Sequence, residues 1–188
     1  EYTVEELLYG LMLRSGNDAA VALALHHSGS IAAFAQVMNE RAILLGATDS
    51  CFVNPHGLPD ERHHTTARDL ALISAAAMEN ETFRTIVSTR CYAPRGWYNK
   101  NKLLSSYEGA CGVKTGYTMQ AGRCLVSAAE RAGMTLVCVV LDCPPMYERS
   151  AELLDRAFAD YMLVRLTDKQ EGVNGFAIDH DFSYPLTE

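Results

Sequence analysis

The order in which two hydrophobic periodicities follow each other constrains the fold of this chain most. Apolar residues recur at helical spacing through residues 4–77, and short β-prone runs follow from about residue 88. A last amphipathic helix is predicted at residues 148–163. Hairpin-linked strands pair antiparallel, and a block of helices beside such a sheet is typical of an α+β domain. We therefore predict a helical subdomain packed on an antiparallel sheet and closed by a C-terminal helix.

Capping residues locate the predicted helices. Thr3 and Glu6 form a capping box that predicts a helix at residues 4–13. Ser15-Gly16 then interrupts the apolar spacing, which indicates a junction between helices. The other predicted N-caps are short polar side chains: Asn17 or Asp18, Ser30 and Thr66. Residues 49–64 are rich in Asn, Pro, Gly and Asp, so we expect an ordered loop there.

The second half of the chain contains the predicted strands. They lie at residues 90–93, 110–117, 123–129 and 134–141. The residues between the last two runs predict a hairpin turn at 130–133. Residues 136–141 are apolar on both parities, so we expect both faces of that strand to be covered.

Length, charge and hydropathy exclude several classes of protein. A chain of 188 residues is long enough for one domain that buries roughly 70% of its unfolded surface. Its formal net charge is -7 at pH 7, which disfavours nucleic acid as a partner, since nucleic acids bind basic surfaces. No uninterrupted apolar stretch approaches the ~18 residues of a membrane-crossing helix.

The cysteines and histidines predict neither a disulfide framework nor a metal site. None of the six cysteines forms Cys-x-x-Cys, and Cys138 and Cys143 lack the neighbouring His or Cys that zinc needs. We expect free, mostly buried thiols, because a free Cys packs as a small apolar residue. His56, His63 and His64 lack the His-Glu-x-x-His spacing of metallohydrolases, so no metal and no cofactor is predicted.

Two short motifs carry chemistry. Ser15-Gly16-Asn17 fits Ser-x-Asn and lies on the predicted bend between helices, and Lys114-Thr115-Gly116 lies in a predicted strand. Average residue usage produces Ser-x-Asn on the order of 0.5 times and Lys-Thr-Gly roughly 0.05 times in such a chain. Without this context Ser15 and Asn17 would be interpreted as an N-cap pair, and Lys114 as a solvated lysine at a strand edge. Together with Ser-x-x-Lys, the motifs form the signature of penicillin-binding proteins and class A β-lactamases.

At these residues the sequence resembles the low-molecular-mass penicillin-binding proteins that act as D-alanyl-D-alanine carboxypeptidases. Further blocks extend the likeness over about residues 1–163: residues 13–20, 52–58, 66–71, 112–118 and 121–126. The resemblance implies a serine-type D-Ala-D-Ala carboxypeptidase with the α+β fold shared by β-lactamases and penicillin-binding transpeptidases. It also implies peptidoglycan pentapeptide and β-lactams as ligands, and an extracytoplasmic or secreted location.

The resemblance gives three residues catalytic roles. Ser15 would relay a proton between the nucleophile and the leaving amine, and Asn17 would hold the substrate amide. Lys114 would polarise Ser15, and its positive charge would help to keep a neighbouring lysine neutral and basic.

It gives four further residues roles in substrate binding. Thr115 would hydrogen-bond the terminal carboxylate, and Gly116 would let the strand backbone approach the substrate. The backbone N–H of Tyr117 would be one oxyanion donor. Arg149 would pair with the terminal carboxylate as a bidentate donor. The alternative for Arg149 is an ion pair with a glutamate of its own helix, Glu148 or Glu152.

The nucleophile is missing from the pattern. No serine in the chain is followed three residues later by lysine. In the family, Ser-x-x-Lys precedes Ser-x-Asn, as do the first strands of the domain. We therefore expect an N-terminally truncated chain, with a partial peptidase domain at residues 1–163 and a tail or the start of a further segment at 164–188. The missing N-terminal segment would be a partner, and any membrane association would come through absent segments. One edge and part of one face of the sheet would be uncovered unless a partner segment or a second copy fills them.

Other functions stay open at this point. A class A β-lactamase needs a Glu-x-x-Leu-Asn segment, which the chain lacks. A non-catalytic module would bind penicillin or peptidoglycan stem peptides without cutting them, and an upstream Ser-x-x-Lys would distinguish the enzyme from the module. A metallohydrolase using the histidines would contain stoichiometric zinc.

Overall fold

The computed structural model describes residues 1–167 and 182–187. The helices are α1 (Val4–Arg14), α2 (Asn17–Ser28), α3 (Ile31–Leu44), α4 (Ala67–Met78), α5 (Glu81–Ser88), α6 (Leu103–Ser106) and α7 (Met146–Asp160). The strands are β1 (Cys91–Tyr92), β2 (Trp97–Tyr98), β3 (Ala110–Thr118), β4 (Gly122–Arg131), β5 (Met134–Val140), β6 (Tyr161–Thr167) and β7 (Phe182–Thr187). Helices precede an antiparallel β3-β4-β5 sheet, which confirms the predicted α+β class.

Predicted caps begin three of the helices. The Thr3 hydroxyl accepts a hydrogen bond from the Glu6 N–H at 3.1 Å, and the Glu6 carboxylate accepts one from the Thr3 N–H at 2.9 Å. This capping box starts α1 at the predicted residue. Ser30 and Thr66 cap α3 and α4 through their side chains, as predicted.

The start of α2 corrects its prediction. Gly16 is the N-cap, and it replaces Asn17 and Asp18 in that position. The reason lies in Ser15, which ends α1 in the left-handed conformation. The chain then needs one extended residue before a new helix begins, and Gly16 supplies it.

Helix α5 has no counterpart among the sequence predictions. Asn80 caps it by accepting the Phe83 N–H at 2.9 Å, and Ile86 and Val87 are buried on its inner face. The β-branched run Thr85-Ile86-Val87 favours a strand by propensity. Burial of Ile86 and Val87 against neighbouring helices and the sheet overrides that preference.

Helices cover both faces of the β3-β4-β5 sheet. On one face, Val113 and Ala128 pack with Met78 of α4 and Val87 of α5. On the other face, a second cluster joins the sheet to α6 and α7: Leu103, Leu125, Val140 and Met146. Both α4 and α7 contact β5, which confirms the predicted two-sided cover of that strand. Within the described residues, no strand pairs with the outer edge of β3 or of β5.

The end of the chain differs in part from its prediction. Helix α7 ends at Asp160, and Tyr161 starts β6, which pairs antiparallel with β7. Parts of the predicted tail at 164–188 are therefore strand, and its residues 168–181 and 188 lie outside the described residues. The division of the chain at residue 163 stays a prediction.

The cysteines form no disulfide bonds in the described residues. All six cysteines are free, as expected, but they are half-buried rather than fully buried.

In the described ranges no single helix has both the length and the apolar composition needed to cross a membrane. The pair α2 and α3 meets that test only when joined, across a bend of 84°.

Candidate active site

The predicted motif residues line one cleft of about 880 Å³. Its walls come from the α1–α2 junction, the loop between α3 and α4, and strand β3. Six of the seven predicted site residues lie on it: Ser15, Asn17, Lys114, Thr115, Gly116 and Tyr117. Ser15 and Lys114 are 99 positions apart in sequence, yet the Lys114 Nζ donates a hydrogen bond to the Ser15 Oγ. The fold therefore brings Ser-x-Asn and Lys-Thr-Gly together.

Ser15 occupies a strained turn. It is the C-cap of α1, with φ 59° and ψ 45°. A non-glycine residue in this left-handed region costs roughly 1–2 kcal/mol, and such strain concentrates at functional sites. The turn is held by the Ser15 N–H, which donates to the Leu11 carbonyl at 3.0 Å, and by the Gly16 N–H, which donates to the Gly10 carbonyl at 3.2 Å. This geometry presents the Ser15 hydroxyl to β3.

Lys114 is held in a poorly solvated position. Its Nζ donates to the Thr115 carbonyl at 2.7 Å as well as to Ser15. Burial lowers the pKa of Lys114 to about 8, and the positive charge of Lys100 contributes a smaller part. At pH 7 such a group is still roughly 90% protonated. Lys114 therefore places a positive charge beside the Ser15 hydroxyl, as expected from the resemblance.

The loop between α3 and α4 forms the opposite wall of the cleft. Asn39 anchors it twice, accepting the Phe52 N–H at 2.7 Å and donating to the Phe52 carbonyl at 2.8 Å. The fully buried Asp69 accepts from the Asp49 N–H at 2.8 Å and from the Ser50 hydroxyl at 2.7 Å. These bonds explain the ordered loop that the turn residues predict.

Two histidines of this loop also line the cleft. The Nδ1 of His63 accepts the Val53 N–H at 3.1 Å, and the Nδ1 of His56 accepts the Leu58 N–H at 3.2 Å. A ring nitrogen that accepts a backbone N–H is unprotonated, so the contact to Val53 favours the neutral form of His63. Burial lowers the pKa of His63, which favours the same neutral form.

Arg149 is the predicted site residue that the structure does not bring to the cleft. Its guanidinium lies 3.1 Å from the Glu152 carboxylate, and its side chain is 55% exposed. This ion pair is the alternative that the sequence left open. The assignment of Arg149 to the substrate carboxylate stays a prediction.

Sequence reasoning missed several cleft residues. Lys100, Arg123 and Tyr147 all line the cleft but belong to neither motif. Arg123 could have been found from the hairpin: it is the second residue of β4, and the β3–β4 register places it opposite Tyr117, directly after Lys-Thr-Gly.

Ser-x-Asn between two helices, facing Lys-Thr-Gly on the edge strand of an antiparallel sheet, is the arrangement of penicillin-binding serine hydrolases and their β-lactamase relatives. Comparison with known proteins narrows this class to one family. The chain belongs to the D-alanyl-D-alanine carboxypeptidase family, peptidase S11, whose family model matches residues 1–144.

Curated relatives agree with this family. The chain is 37% identical over 171 residues to the D-alanyl-D-alanine carboxypeptidase DacF of Bacillus subtilis (strain 168), covering 86% of this chain and 44% of that protein. It is 45% identical over 157 residues to a D-alanyl-D-alanine carboxypeptidase of Streptomyces sp. (strain K15), covering 74% of this chain and 54% of that protein. The chain thus spans about half the length of these relatives.

Solved structures show the same fold. A point variant of the Streptomyces K15 DD-transpeptidase superposes with a TM-score of 0.79 at 39% identity, over 84% of this chain and 68% of that one. The D-alanyl-D-alanine carboxypeptidase DacD from Francisella tularensis gives a TM-score of 0.79 at 26% identity, over 99% of this chain and 63% of that one. The penicillin-binding fold predicted from the motifs is therefore confirmed.

Proposed function

We propose that the protein containing this chain is a serine-type D-Ala-D-Ala carboxypeptidase that removes the terminal D-Ala from peptidoglycan stem peptides through an acyl-enzyme. The observation that carries the proposal is the hydrogen bond from Lys114 to Ser15 across a shared cleft. Family membership supports it, since peptidoglycan and β-lactams are the general ligands of the family and its members act on the cell wall, generally outside the cytoplasm. An extracytoplasmic or secreted location follows from the same proposal.

In this proposal Ser15 carries a proton rather than attacking the substrate. The nucleophilic serine and its lysine base belong to a Ser-x-x-Lys segment outside the 188 residues. Ser15 passes the nucleophile's proton to the leaving D-Ala amine, and the positive Lys114 stabilises the hydroxyl oxygen as its proton departs. Asn17, on the same wall of the cleft, holds the substrate amide.

Strand β3 aligns the peptide. Its outer edge is unpaired within the described residues, so an extended peptide can add to it as a further strand. Thr115 then hydrogen-bonds the terminal carboxylate, and the Tyr117 N–H stabilises the oxyanion. Gly116 lies in β3 with only Cys124 near the position of a Cβ, at 3.6 Å, so its role is to leave the strand surface open to the peptide.

Covalent labelling with a fluorescent penicillin tests this proposal. The whole protein should be labelled at a serine of Ser-x-x-Lys, and it should release D-Ala from a peptide that ends in D-Ala-D-Ala. The 188-residue chain alone should stay unlabelled. Covalent labelling of that chain would contradict the assignment of the nucleophile to another segment.

The same experiment separates the alternatives. A non-catalytic penicillin-binding or peptidoglycan-binding module would bind the peptide without releasing D-Ala. A β-lactamase would hydrolyse penicillin rapidly and leave little stable label. The names of the curated relatives favour the carboxypeptidase over both.

A further inference from the structure

We propose that Arg123 is a specificity-determining residue, which receives a second carboxylate of the substrate, carried by the residue two positions before the terminal D-Ala. The inference rests on the proposed function for the direction of the peptide. It depends on three further observations: the charges that line the cleft, the position of Arg123 relative to β3, and the surroundings of its guanidinium.

The cleft is cationic, although the protein is acidic. The chain has a formal net charge of -7, yet Asp and Glu are absent from the described residues that line the cleft. Its charged lining residues are Lys100, Lys114 and Arg123. A cleft lined by one sign of charge concentrates ligands of the opposite sign. One terminal carboxylate accounts for the charge near Lys114 and Thr115, which leaves the Arg123 end of the cleft without a ligand group.

Arg123 stands at a fixed distance from Thr115. It lies directly opposite Tyr117 in the β3–β4 register, and Thr115 lies two residues before Tyr117 on the same face of β3. Two residues of strand span about 7 Å. An extended peptide on the β3 edge advances by the same amount per residue. If its terminal carboxylate is at Thr115 and its penultimate carbonyl is at the Tyr117 N–H, the residue before that carbonyl lies just beyond Tyr117. The Arg123 side chain, which extends over the Tyr117 ring, can reach a carboxylate there.

The guanidinium of Arg123 is available to a ligand. Its Cζ lies 5.6 Å from the centroid of the Tyr117 ring, and the Tyr117 side chain is 66% exposed. Stacking on an aromatic face orients a guanidinium without using its N–H donors. No carboxylate lies within 4.0 Å of the Arg123 guanidinium in the part of the chain that the structure describes. The N–H donors of Arg123 are therefore not taken up by a carboxylate of the described residues.

Two synthetic peptides test the inference: acetyl-Glu-D-Ala-D-Ala and acetyl-Gln-D-Ala-D-Ala, which differ by one carboxylate. For the whole protein we expect KM to be about fivefold lower for the Glu peptide, the size of an exposed charge pair. Arg123→Gln should bring the two KM values within a factor of two, and Arg123→Lys should keep part of the preference. High salt should weaken the preference of the unaltered protein, since exposed charges are screened.

Arg156→Gln is the matched control. Arg156 is an exposed arginine of α7 that pairs with Asp160 and does not line the cleft, so this variant should keep the fivefold preference. A full preference in Arg123→Gln, or equal KM values in the unaltered protein, would overturn the inference.

Calorimetric Kd values for the same peptides separate this inference from the proposed function. A protein that releases no D-Ala disproves the carboxypeptidase, while the ratio of the two Kd values still decides the role of Arg123. A fivefold ratio that disappears in Arg123→Gln supports the inference, and a ratio near one refutes it.

Discussion

Lys114 makes the stability of the protein depend on alkaline pH in a calculable way. The pKa of this lysine falls from 10.5 to about 8 on folding, chiefly because the side chain is buried and secondarily because of Lys100. At 1.36 kcal/mol for each pKa unit, keeping Lys114 charged costs the folded state about 3 kcal/mol. The substitution Lys114→Met removes the titrating group while keeping most of the side-chain length.

The direction of the effect follows from proton binding. Below pH 8 both the folded and the unfolded protein hold the proton, so the full cost is present. Between pH 8 and 10.5 the folded protein loses the proton while the unfolded chain keeps it, so stability rises with pH. Relative to Lys114→Met, the unaltered protein should therefore gain about 3 kcal/mol from pH 7 to pH 10.5.

Urea denaturation followed by circular dichroism measures this difference at each pH. Tyrosines and cysteines titrate in both proteins, so their contributions cancel in the comparison. Lys102→Met removes one exposed charge and serves as the control for surface electrostatics. Parallel pH profiles for the unaltered protein and Lys114→Met would refute the assignment of a buried, destabilised ammonium group to the cleft.

Two other substitutions test the site and the sheet. Ser15→Ala removes the proposed proton relay but keeps the turn, so D-Ala release by the whole protein should fall about 100-fold or more with little change in Tm; an unchanged rate would exclude Ser15 from proton transfer. Gly122→Ala places a Cβ against the Asp142 carboxylate at a φ of +66°, and should lower the free energy of unfolding by about 1–3 kcal/mol. Gly29→Ala, at a similar φ of +75° with nothing within 4 Å, is its matched control and should cost less in the same urea titration.

The sequence predicted the helix starts and turns that depend on an interaction between residues only a few positions apart. The capping box of Thr3 and Glu6, the Ser30 cap and the turn before Met134 depend on residues within a few positions. Helix α5 was not predicted because the conformation of Val87 depends on packing against other elements, Met78 of α4 and Val113 of β3. Patterns of period and propensity carry no information about such contacts.

The site was predictable to the extent that its residues form motifs. Ser15 and Lys114 follow from two tripeptides whose joint occurrence is rare. Arg123 and Lys100 do not, because their place in the cleft depends on strand register and on the path of the chain before α6. Arg149 illustrates a different limit. Its sequence position matches a family arginine, but the position alone does not determine which carboxylate the side chain pairs with, and in the structure it pairs with Glu152.

Under the proposed function, the separation of charge between surface and cleft favours the binding of a small anionic peptide. An excess of seven negative charges over the whole chain opposes the approach of an anion, and salt screens that repulsion beyond about 10 Å. Inside the cleft the nearer charges are positive, and partial burial of Lys114 strengthens its field at the Ser15 hydroxyl. The same burial that costs the folded state about 3 kcal/mol thus strengthens the electrostatic effect of Lys114 on the proposed proton relay, Ser15. We therefore expect lower stability at neutral pH, because the cleft keeps an incompletely solvated ammonium group at the position that the proposed mechanism requires.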